Sequence, residues 1–141
     1  MQRGAMISLL KACLRTFPAL LLLLTLGCIT SPIPVTPEQI ASADYGTVPV
    51  PPAYQDAIKS YMQEILFDPR TARYRFVGEP QRGYAYLLGR RKPPVFGYLV
   101  QVEIDAKNLK DRYTGEQPYR FFIRNETLYP LETSTKVEVV Q

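Results

Sequence analysis

The chain has 141 residues, two cysteines and no histidine, with seventeen basic side chains against thirteen acidic ones. Without histidine, and with only two cysteines, the common catalytic triads and zinc sites are excluded. The net charge of +4 is concentrated at the start, because Arg3, Lys11 and Arg15 all precede the first acid, Glu38; without them fourteen basic residues face thirteen acids, a balance of +1 that gives no case for a nucleic-acid surface.

Those three cations lead into the apolar run 19–26, interrupted only by Thr25 and closing on Gly27 and Cys28. A positive start, a short apolar core and a small residue before a cut are the marks of a secretory signal, and the run is far short of the roughly 20 residues a spanning helix requires. Gly27 before Cys28 resembles the lipobox of bacterial lipoproteins, although Thr25 stands at the usual leucine position. The resemblance implies that residues 1–27 are removed, that Cys28 receives diacylglycerol and fatty acid, and that the chain is held by lipid in the cell envelope, facing the periplasm. Ile29 is not the aspartate that resembles an inner-membrane retention signal, so the expected address is the outer membrane. Two or more buried acyl chains make such anchoring stable. Cys13 leaves with the signal and Cys28 carries lipid, so the mature part has no disulfide and depends on an apolar core rich in tyrosine and phenylalanine.

After the anchor, residues 28–52 read as a proline-rich tether with a reach of up to roughly 70 Å. Within it, Thr36 as cap, Pro37 in the first turn and Glu38 predict a short helix over 37–43, with Gly46 as a stop. The clearest helix is predicted over 53–67, where Tyr54, Ile58, Tyr61, Met62, Ile65 and Leu66 recur on one face. Asp68 and Pro69 end it, and Asp68 is expected to cap a second short turn over 69–72.

The period then changes to two. Strands are expected around Tyr74 and Phe76, over 83–88, over 96–105, over 119–124 and, as a short edge blunted by Pro130, over 127–131. In the third of these, Phe96, Tyr98, Val100, Val102 and Ile104 share one face, while Gln101, Glu103 and Asp105 occupy a wet one. Turns fall at 89–94, at Thr114 and Gly115, and at Asn125 and Glu126. The expected fold is α+β, one amphipathic helix on an antiparallel sheet of three to five strands, with the domain over 53–132 and a loose tail over 133–141.

Ala43-Asp44-Tyr45-Gly46, Tyr54 and Asp68-Pro69-Arg70-Thr71-Ala72-Arg73-Tyr74-Arg75-Phe76 together resemble a family of small Gram-negative lipoproteins of unknown function. Its later N-A-K-N and Y-T-G motifs are matched by Asp105-Ala106-Lys107-Asn108 and Tyr113-Thr114-Gly115. This chain departs from it at Asp105, where asparagine is usual, and at Lys110-Asp111-Arg112, where the family has a glycine-rich approach. The resemblance spans residues 40–128 and implies an anchor and a fold, not an activity.

Three places carry chemistry. The loop 105–118 offers Asn108, Tyr113, Thr114 and Gln117 for hydrogen-bonded recognition from a rigid scaffold. Arg90, Arg91 and Lys92 form a basic turn suited to anionic lipid, cell-wall polymer or an acidic protein. Glu103 and Asp105 share a strand face, as the paired carboxylates of a polymer hydrolase would. The reading adopted is a non-catalytic envelope module with no cofactor, binding a protein or cell-wall partner; the hydrolase is the alternative.

Overall fold

The computed structural model describes residues 31–140; the expected signal segment 1–27 and the expected lipidation site Cys28 lie outside the described residues. The elements, in chain order, are α1 (Pro37–Ser42), α2 (Ala53–Gln63), β1 (Asp68–Phe76), β2 (Gln81–Ala85), β3 (Val95–Lys107), β4 (Gln117–Arg124), β5 (Thr127–Pro130) and β6 (Val137–Val139). The fold is α+β, and its antiparallel sheet has six strands among the described residues, more than the three to five expected.

The organising element is β3. β4 pairs with it over Tyr98 to Ile104, β1 pairs over Val102 to Lys107, and β2 pairs over Val95 to Leu99. Because both β1 and β2 overlap residues that also bond β4, they must lie end to end along the opposite edge of β3. The β4–β5 hairpin closes on Asn125 and Glu126, both at positive φ (46° and 66°), the geometry of a type I′ turn.

Alternation along β3 places Val100, Val102 and Ile104 under α2, whose Tyr54, Ile58 and Met62 complete a core with Phe121 and Ile123. The other face is not uniformly wet. Leu99 and Phe122, directly opposed across β3 and β4, are buried there, and a side chain on Gly97 would run into the Phe122 ring at 2.7 Å. Only from Gln101 onward does this face open to water.

Four expectations are corrected. Helix α2 ends at Gln63, not at 67, so Ile65 and Phe67 fall beyond the apolar stripe and are exposed, while Leu66 still packs against the core. The turn expected over 69–72 is the start of β1, which leaves register between Asp68 and Arg73: the Thr71 hydroxyl donates to the Asp68 carbonyl (2.8 Å) and accepts the Lys107 N–H (3.1 Å). The tail expected to be loose over 133–141 instead carries β6, which pairs with the outer edge of β2 over Val137 to Val139.

The tether, finally, is largely part of the domain. Helix α1 has the expected cap, a reciprocal box between Thr36 and Gln39. After it, Tyr45 lays its ring edge-on against Phe96 (5.6 Å between centroids), and Arg124 donates to the carbonyls of Asp44 (2.7 Å) and Phe96 (2.8 Å). Gly46, at φ +76°, lies against the Asn125 side chain, whose Oδ1 accepts the Thr47 N–H. Earlier still, the Ile33 N–H donates to the Arg90 carbonyl (3.2 Å) and the Tyr86 hydroxyl donates to the Ile33 carbonyl. Proline content made this stretch read as spacer, but its aromatic and ionic contacts fasten it to the sheet.

The altered helix end has a measurable consequence. Ile58 is fully buried and Ile65 about half exposed (0% and 52%). Ile58→Asp is expected to lower unfolding free energy by roughly 3–5 kcal/mol, and Ile65→Asp by less than about 1 kcal/mol. Urea denaturation of the two variants separates this register from one in which the helix runs on to 67.

Candidate functional site

The C-terminal end of β3 runs into residues 105–118, a loop folded by its own polar groups. The Asn108 side-chain oxygen accepts the N–H groups of Lys110 (2.8 Å) and Arg112 (3.3 Å), and its main chain bonds Asp111 and Arg112. Such side-chain-to-backbone bonding lets a short turn hold its shape without burial. The Thr114 hydroxyl and N–H both donate to the Ala106 carbonyl, and Asp105 Oδ1 accepts the Gly115 N–H at 3.0 Å. Gly115 sits at φ +84°, a conformation that favours glycine.

Tyr113 bridges back to Lys107, and two cations attend its ring. The Arg73 guanidinium of β1 lies 4.1 Å from the ring centroid and Lys107 Nζ 5.8 Å from it. Lys107 also donates to Asp111 (2.8 Å), and that bond, with the attraction of the carboxylate, raises the Lys107 ammonium above its ordinary range. Cation–π contacts of this kind are worth about 0.5–1 kcal/mol at exposed sites. Around this knot, Arg70, Leu109, Lys110 and Arg112 point to solvent; Leu109 is 79% exposed.

The residues expected to form a site are therefore brought together, with unequal roles. Asn108 is half-buried and faces its own turn. Tyr113 is half exposed beneath a cation, Thr114 closes the loop, and Gln117 opens β4 opposite Ile104. Arg73 and Lys107 belong to the same cluster and were not singled out, because a β1 cation and a β3 cation meet over one ring only once the strand register is known.

The two carboxylates considered for hydrolysis are both engaged. Glu103 forms an ion pair with Arg75, its register partner on β1, and Arg75 also makes a two-pronged contact with Glu116 (3.0 and 2.7 Å). Asp105 holds the Gly115 amide, as above. Among the described residues, no group of three or more histidine, cysteine or acidic side chains is arranged to hold a metal ion.

At the other end of β3, Arg90, Arg91 and Lys92 are exposed on the turn between β2 and β3, next to Leu88, which is 73% exposed. The thirteen residues of β3 separate this tip from the 105–118 loop by about 40 Å. An open cleft of about 700 Å³ lies between the N-terminal arm and β2–β3, lined in part by Asp44, Tyr45, Arg82 and Tyr98; the Arg82 guanidinium lies 5.7 Å from the Tyr45 ring. No helix among the described residues is long and apolar enough to cross a membrane.

Loop order should depend on one side chain. Asn108→Ala removes the acceptor of two backbone amides and is expected to reduce stability by about 1 kcal/mol. Amide exchange at Lys110 and Arg112 should accelerate, while exchange at Val100 and Phe121 in the core stays slow; Asn108→Asp, which retains the acceptor, should restore protection. No family model matches the chain, and neither a curated protein nor a solved structure shows significant similarity to it.

Proposed function

We propose that the protein is a lipid-anchored envelope lipoprotein, held through Cys28 at the outer membrane and facing the periplasm, whose domain binds a protein or cell-wall partner without catalysis. The family of small Gram-negative lipoproteins that the motifs resemble is the expected setting. The observation that carries the binding reading is the contrast within the 105–118 loop. Its backbone is tied down by Asn108, Thr114 and Asp105, while Leu109, Lys110, Arg112 and part of Tyr113 face solvent.

A preorganised loop loses little conformational freedom when it binds, so more of its contact energy is expressed as affinity. An exposed leucine, followed in the loop by Lys110 and Arg112 and sharing the loop with Tyr113, offers apolar, aromatic and arginine groups together, of which aromatic rings and arginine are enriched at recognition surfaces. It suits an acidic protein patch or an anionic cell-wall polymer. The carboxylate-hydrolase alternative draws no comparable support, since Glu103 is ion-paired to Arg75 and Asp105 is spent on the Gly115 amide.

Two measurements test the parts separately. Cys28→Ser should abolish palmitate labelling of the full chain in a Gram-negative host and release the protein from the membrane fraction; persistence of label would overturn the anchor. A photo-crosslinking residue at Leu109 should capture a partner in cells. Adding Tyr113→Ala and Arg112→Ala should remove that crosslink while shifting the melting temperature by less than about 4 °C. Retention of the crosslink in the double variant would overturn the loop as the binding surface.

A further inference from the structure

We propose that the tip between β2 and β3 is a membrane-contact surface, with Arg90, Arg91 and Lys92 on the anionic phosphates of the bilayer leaflet and Leu88 seated below them at the acyl boundary. The proposal rests on the lipid anchor at Cys28 and adds to it an orientation and a lipid class.

Three observations converge. The first is where the described chain begins. Ile33 is hydrogen-bonded through its N–H to Arg90 and through its carbonyl to Tyr86, so the N-terminal arm is fastened to the base of this tip. Cys28 precedes Ile33 by five residues, which extend at most about 18 Å. A lipid on Cys28 would hold the tip close to the headgroups and leave the opposite end of β3 far from them.

The second is the chemistry of the tip. Leu88 is one of the most exposed large apolar side chains in the domain, and three cations follow within four residues. An apolar residue beside clustered cations is the combination that interfacial segments use: the apolar group enters the acyl boundary and the charges meet anionic headgroups. Pro93 and Pro94 stiffen the return to β3. A shallow hollow behind the tip contains Arg90 and Lys136 together with Glu132, and Lys136 is paired with Glu138 (3.2 Å). The local balance remains positive.

The third is charge over the whole mature part. Fourteen basic residues face thirteen acidic ones after the signal; setting aside Arg90, Arg91 and Lys92 leaves eleven against thirteen. The remainder of the domain is thus net negative and is repelled by an anionic leaflet, while the tip is attracted. That asymmetry orients the molecule where overall charge would not.

The chain contains no tryptophan, so Leu88→Trp and Leu109→Trp each create a single reporter at opposite ends of β3. The full chain, produced in a Gram-negative host and processed there, is reconstituted into phosphatidylethanolamine vesicles with or without phosphatidylglycerol. Emission from Leu88→Trp should shift to the blue and be quenched by brominated acyl chains when phosphatidylglycerol is present, while Leu109→Trp keeps the emission of water. Adding Arg90→Glu and Lys92→Glu should disfavour the contact at least roughly twenty-five-fold, about five-fold for each charge, and raised salt should act in the same direction. Circular dichroism of each variant establishes that it is folded.

Palmitate labelling of the same preparations separates the two readings. Label present with Leu88→Trp reporting water, or with both tryptophans shifted alike, overturns the tip while leaving the anchor. Label absent overturns the anchor, and the orientation built on it falls too.

Discussion

A strand of thirteen residues is about 40 Å long, whereas the eleven residues of α2 make a helix of about 16 Å. One such helix cannot cover one face of such a strand. Helix α2 takes Val100, Val102 and Ile104, and Phe96 and Tyr98 are left for something else. The N-terminal arm fills that role with Tyr45, fixed by Arg124 through Asp44 and by Asn125 against Gly46. With no cysteine among the described residues to supply a compensating disulfide, leaving two aromatic side chains to water would remove roughly 1.5–3 kcal/mol apiece, a large part of the stability of a small domain.

The same length separates the two surfaces that carry functional proposals. β4 pairs with one side of β3 over Tyr98 to Ile104, and β1 and β2 lie in tandem on the other. The two surfaces lie at the ends of the strand. One end carries a hydrogen-bonded loop with a cation-capped tyrosine, and the other carries a basic turn fastened to the start of the described chain.

How much of this could be read from the residues depends on the range of the interaction concerned. β3 was legible because Phe96, Tyr98, Val100, Val102 and Ile104 recur at every second position, with polar residues between them from Gln101 on, and the Asn125–Glu126 hairpin because asparagine in a two-residue loop tolerates positive φ. Helix α1 was legible because its cap is local. The end of α2 was not: Ile65, Leu66 and Phe67 continue an apolar run, and only Leu66 finds the core, through the turn that follows the helix. Asp68 and Pro69 carry a helix-cap pattern that strand pairing overrides, with Thr71 absorbing the irregularity. β6 was missed although Val137 and Val139 alternate, because three residues become a strand only when β2 offers an edge. Within the loop, the residue types were legible as a cluster, but Arg73 over Tyr113 is forty positions distant and depends on the β1–β3 register.

Fastening the arm also changes what an anchor at Cys28 would accomplish. A free tether of some 70 Å would let the domain search a wide shell above the bilayer in every orientation. Ile33, however, is hydrogen-bonded at the base of the β2–β3 tip, and Cys28 precedes it by only five residues, so an anchor there would link the position and tilt of the domain. An anchor so near would raise the effective concentration of the tip at the leaflet, so that three cations and one leucine, individually too weak to bind a membrane, would act as an intramolecular second contact. The proposed orientation would then present the distal loop about the length of β3 above the headgroups. A partner immobile in the envelope at that height would be met repeatedly in one orientation, a circumstance that favours a small preorganised loop over a broad interface.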